Sequence, residues 1–180
     1  MLNFLTTWRR RRQAGERGFT LIELLTVIAI IGILTSVVAV NVSSSRKQAR
    51  DARRKSDIDA IQSALELYYN AHNQFPALPW GTNSNKDTWN DLNTELSSYL
   101  SALPKDPTNN ETDPWAEGGL SYGYASADWH GCSAGQWYVL VYGLEDKNDV
   151  AIANSPGVKM CDDSTYNETD AGQIVEGVAQ

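Results

Sequence analysis

The residue with the most unusual chemical setting in this chain is Glu23. It stands at the head of a run, residues 24–45, of about 22 positions without a charged side chain. At about 1.5 Å per residue a helix of that length crosses a bilayer core of roughly 30 Å. An ionised carboxylate at membrane depth costs roughly 3 kcal/mol on insertion scales, and such groups usually have a partner and a task. Nothing nearby in the segment that follows Gly18 is expected to pair with Glu23. The basic residues lie on the other side of that glycine, as Arg9 to Arg12 and Arg17.

The string Arg17-Gly18-Phe19-Thr20-Leu21-Ile22-Glu23-Leu24-Leu25 resembles the prepilin peptidase recognition sequence of type IV pilins and type II secretion pseudopilins. The resemblance implies a cut between Gly18 and Phe19 and methylation of Phe19 as the new terminus. It also implies pairing of Glu23 with the N-terminal ammonium of a neighbouring subunit. The partners that follow are copies of the chain in a helical filament, the prepilin peptidase, an inner-membrane assembly platform with its ATPase, and membrane lipid before assembly. Residues 1–18 then read as a cleaved basic leader, 19–45 as the membrane and assembly half of a long helix, and 46–180 as an exported globular head. An ordinary secretory signal would place its apolar core before the cut; here the apolar run is retained. By the positive-inside rule the arginine cluster stays cytoplasmic and the head lies on the outer side.

The elements that must position these residues follow from pattern. Residues 19 to about 73 read as one helix, with Gly32 as a weak point of about 1 kcal/mol relative to Ala. Pilin helices often carry a proline in this region, and here Val40 stands at that place. The question of unwinding near Gly32 stays open. Ile58, Ile61, Ala64, Leu65 and Tyr68 form an apolar stripe that is expected to pack the head onto its own helix. Pro76 disfavours helical geometry just before it, so the helix should stop near Asn73. Thr88 and Asp91 fit a capping box opening a second helix through Trp89, Leu92, Leu96, Tyr99 and Leu103. Residues 103–107, Leu-Pro-Lys-Asp-Pro, are again similar to the secretion pseudopilins, with residues 108–112 inserted before Trp115. Tyr122 and Tyr124 alternate within 120–126 as in a strand, 136–144 is rich in aromatic and β-branched residues and is the strongest strand signal, and 150–153 is expected to return as a third. Residues 162–180 are expected to be largely irregular. The fold class is α+β, pilin-like: a long N-terminal helix with an antiparallel sheet packed on its second half.

The segment Arg46 to Lys55 holds six basic residues. It reads either as a solvated helix face or as a contact for phospholipid headgroups or an acidic neighbouring head. Beyond Lys55 only four lysines face 19 acidic residues, so direct nucleic-acid binding is not expected. In an exported head the even cysteine count suggests one disulfide, Cys132–Cys161, similar to the C-terminal loop of many type IV pilins. The other reading is two buried thiols. With only His72 and His130 in the chain, a zinc site lacks paired ligand spacing. No Gly-rich phosphate loop and no Gly-x-Ser-x-Gly elbow occurs in the sequence. The expectation is a structural subunit, not an enzyme, without a cofactor. Calcium at 145–149 or at Asp162-Asp163 is the alternative, since the secretion pseudopilins hold calcium in an acidic C-terminal loop.

Two uses fit such a subunit. The stretch 50–75 and Leu-Pro-Lys-Asp-Pro favour a secretion pseudopilus; the cysteine pair and the aromatic head favour a type IV pilus for adhesion, motility or DNA uptake. A membrane-anchored binding module that never polymerises is the third reading.

Overall fold

The computed structural model describes residues 18–179; the leader expected at 1–18 falls almost wholly on residues 1–17, outside the described residues. The chain divides into two units between Ser43 and Ser44. In the first, the described part is the apolar beginning of helix α1, Leu21–His72. The described large apolar side chains from Phe19 to Val38 are between 50% and 90% exposed. Backbone polar groups of such a segment must be satisfied inside the helix if it enters lipid. Side-chain hydroxyls follow the same rule: Thr35 donates to the Ile31 carbonyl and Ser36 to that of Ile33, both at 2.7 Å. α1 is continuous through Gly32. It ends where Asn73 takes a left-handed conformation, φ 55°, with its N–H donating to the Tyr69 carbonyl. Asparagine tolerates that backbone better than most residues, and Pro76 follows.

The second unit is built on a four-stranded antiparallel sheet in the order β1 (Thr82–Asn83), β2 (Gly123–Ala125), β3 (Trp137–Gly143), β6 (Gln173–Ala179). Both faces of β3 are buried. Tyr138, Leu140 and Tyr142 face the stripe of Ile58, Ile61, Ala64, Leu65 and Tyr68 from α1, with Trp89, Leu92 and Leu96 of α2 (Thr88–Leu96) completing that core. Trp137, Val139 and Val141 face the other way into a second core with Cys132, Val158, Met160 and Val175. Partly buried Trp80, Trp115, Trp129 and Tyr166 roof it. Trp80 is the hub, with ring centroids 4.7 Å from Trp129, 5.5 Å from Tyr166 and 5.8 Å from Trp115. This roof explains why β3 reads as a continuous apolar run and not as a strict alternation.

Four sequence expectations change. Val150–Ala153 is a short helix, α3, because the Asp149 side chain accepts from the Ala151 N–H and caps it; local capping overrides β-branched composition. Residues 173–179, expected to be irregular, form the long partner of β3. β4 (Val158–Lys159) and β5 (Thr165–Tyr166) make a small hairpin between them. The capping box of α2 is not formed: Asp87 is its N-cap without a side-chain hydrogen bond, and the Thr88 hydroxyl is buried without a partner. α2 also ends at Leu96, short of Leu103, whose N–H is held by the Asn93 side chain.

Candidate functional site: the N-terminus of the long helix and its root in the head

Residues 18–20 precede the first turn of α1, and Thr20 caps it. The Thr20 N–H and hydroxyl donate to Glu23 Oε2 at 2.8 and 2.7 Å, and the Glu23 N–H donates back to Thr20 Oγ1 at 3.2 Å. This is a reciprocal capping box, Thr-x-x-Glu, with a carboxylate in the first turn where the helix macrodipole favours negative charge. It corrects the expectation that nothing nearby pairs with Glu23. Two polar groups of its own chain hold one carboxylate oxygen; no cation does so among the described residues. The cap was legible as Thr20 three residues before Glu23, a signal masked by attention to the apolar run. Phe19 is 90% exposed. A Cβ at Gly18 would meet no atom within 4 Å, so nothing within the described chain requires a glycine there.

The basic segment at the foot of the head matches neither sequence reading for half of its residues. Arg54 is wholly buried and makes five hydrogen bonds. Nε and Nη2 grip both oxygens of Asp106 at 2.6 and 2.9 Å, Nη1 reaches Asp51 and Glu145 at 2.7 and 2.9 Å, and Nη2 reaches the Thr108 hydroxyl at 2.9 Å. Arg50 binds Glu145 through Nε and Nη2, each at 2.6 Å, and Lys55 meets Asp149 at 2.7 Å. Asp51 accepts the backbone N–H groups of Glu145 and Asp146. Asp106, the acid in Leu-Pro-Lys-Asp-Pro, also accepts from the N–H groups of Thr108 and Asn109. One turn of α1 thus fixes the loops at 106–109 and 145–149. Such planar bidentate pairing suits Arg and not Lys. Arg50 first, and then Arg54, hold the Glu145 carboxyl down at about 2 against its burial. Lys55 lowers Asp149 in the same sense. Burial works against the Arg54 charge, yet the hydrogen bonds to Asp106 and Glu145 raise it above its ordinary value. Sequence reasoning missed this cluster; the only local trace was Asp51 three residues before Arg54.

The remaining candidates lie elsewhere in the head. Cys132 and Cys161 are joined by a disulfide that closes a 29-residue separation. His130 pairs with Asp162 beside it, and the Ser164 hydroxyl, followed by His130, brings the Asp162 carboxyl down to about 2. Within the acidic runs considered for calcium, Glu145 and Asp149 pair with α1 cations, Asp162 with His130 and Asp163 with Lys159. Among the described residues no group of three or more His, Cys, Asp or Glu is arranged to hold a metal ion. His72 stacks on Tyr68, its ring centroid 4.1 Å away, as part of the core margin.

A capped, exposed apolar helix behind a basic lead-in, carrying an α+β head, defines a prepilin-type subunit. The family described as the prokaryotic N-terminal methylation motif matches residues 11–39. The chain belongs, more particularly, to the family of type II secretion system core protein G. It is 35% identical to that protein of Aeromonas hydrophila over 106 residues, covering 57% of this chain and 72% of the relative. It is 38% identical to that of Pseudomonas aeruginosa over 105 residues, 56% of this chain and 72% of the relative. Identity to that of Escherichia coli (strain K12) is 35% over 100 residues, 53% and 69%. No solved structure matches the chain.

Proposed function

We propose that the chain is a structural subunit of a type II secretion pseudopilus, without enzymatic activity and without a cofactor. It is inserted in the inner membrane through residues 24–45, with the head on the outer side, and is cut between Gly18 and Phe19 by a prepilin peptidase that methylates Phe19. An inner-membrane platform and its ATPase then draw it into a helical homopolymer. The observation that carries this reading is the first turn of α1. Glu23 is held by Thr20 but meets no cation among the described residues. A neighbour's terminal ammonium would supply one, and the gain from pairing in a low-dielectric setting makes assembly favourable. Gly18, unconstrained by packing, fits a requirement set by the peptidase that reads it.

Mass spectrometry of the protein from membranes tests the processing step. The expected terminus is N-methylated Phe19; a chain still beginning at Met1 would overturn the reading. Loss of secreted enzymes from the medium on deletion of the gene, restored by the intact gene, assigns the polymer to secretion. The disulfide-tied head favours a second use, as a surface pilus subunit. Normal secretion with lost motility or adhesion in the deletion strain would select that use.

A further inference from the structure

Six basic residues follow the uncharged run within ten positions, and the structure divides them. Arg50, Arg54 and Lys55 are committed to carboxylates of the head at 2.6 to 2.9 Å. Arg53 comes only within 3.7 Å of Asp57, and its side chain stays 65% exposed. Arg46 and Lys47 are exposed and make no ion pair among the described residues. They are also the first charges after residue 45. We propose that Arg46 and Lys47 bind the phosphates of anionic phospholipids at the membrane surface where the apolar run ends.

Position carries the argument. A 22-residue helical span is about 33 Å long against a hydrocarbon core of roughly 30 Å, so the next turn falls at headgroup depth. The long stems of Arg and Lys let their charges settle at that level while the methylenes stay against apolar groups. Arg46 follows the uncharged run directly in sequence, so lipid is its neighbour for as long as the subunit waits in the bilayer. The acids nearest along the helix are taken: Asp51 by Arg54, and Asp57 by the Tyr122 hydroxyl and Arg53. Beyond Lys55 the head holds 19 acids against four lysines, and an anionic surface would repel it. Two cations at the contact level offset that repulsion, each by a factor of about five in occupancy.

The inference rests on the membrane-anchor reading. The test uses the full chain reconstituted in vesicles of phosphatidylcholine alone or with about a third phosphatidylglycerol. Acetylation of Lys47 is followed by mass spectrometry, with Lys159 on the head as the internal reference. The expected result is about five-fold slower acetylation of Lys47, relative to Lys159, in the anionic vesicles, reversed by molar salt. Equal rates in both vesicles with the chain resistant to alkaline extraction would overturn the inference alone. A chain released by alkali would overturn the anchor reading with it. Protection that arises only when filaments form, whatever the lipid, would assign the two cations to a neighbouring acidic head and overturn the lipid site.

Discussion

Removing the buried guanidinium tests the architecture of the head most sharply. Arg54→Ala leaves Asp106, wholly buried, and Asp51, 6% exposed, without their cation. It also takes one of two cations from Glu145. Breaking a buried pair by deleting one partner costs about 3–5 kcal/mol, because the remaining charge stays out of water uncompensated. For a unit of this size, 1 kcal/mol moves Tm by about 3 °C, so the variant should melt roughly 10–15 °C lower. Near-ultraviolet circular dichroism of the full chain in detergent reads chiefly the head, where five of the six tryptophans lie. Arg54→Lys keeps the charge but loses the two-pronged grip on Asp106 and should fall between the wild type and the alanine variant. A Tm within about 3 °C of the wild type for Arg54→Ala would refute the reasoning, since the carboxylates would then be compensated by something other than Arg54.

Acid should weaken the head in a defined window. The Glu145 carboxyl is lowered from 4.5 to about 2, so its contribution is complete above about pH 4.5 and is lost as pH falls toward 2; Tm measured across that range should decline, and a flat profile would contradict it. Reducing the Cys132–Cys161 bridge frees a loop of 29 residues and should cost about 3–4 kcal/mol in the chain-entropy model, seen as a lower denaturant midpoint with dithiothreitol. Adding chelator should leave Tm unchanged, because Glu145, Asp149 and Asp163 are paired with arginine or lysine and Asp162 is hydrogen-bonded to His130 and Ser164; a drop of several degrees would point to calcium held by the head.

The parts of the fold legible in the sequence were those with a local period. The stripe Ile58–Tyr68 repeats at helical spacing, and the run at 136–144 is aromatic and β-branched over the length of a strand; both are buried in the head. The missed parts depend on neighbours distant in sequence. β6 contains Gly177, which lowers strand propensity, yet a Cβ there would collide with the Tyr138 carbonyl oxygen. The glycine is the condition for close pairing with β3 and not a break in the strand. Val150–Ala153 has strand-like residues, but one capping bond from Asp149 decides its conformation. Arg54 lies in a segment that looks wholly solvated; only the fold brings Asp106 and Glu145 to it across 52 and 91 residues. At the N-terminus, Gly18, Phe19 and Glu23 stood out by type and spacing, whereas the part played by Thr20 required the geometry of the first turn.

The most direct test of the account is Glu23→Ala in the full chain, followed by cysteine cross-linking between subunits in cells that express the assembly machinery. The variant should insert in the membrane and lose its leader as the wild type does, yet give no ladder of cross-linked multimers. Multimers at wild-type abundance would contradict the claim that this carboxylate recruits a neighbour's terminus.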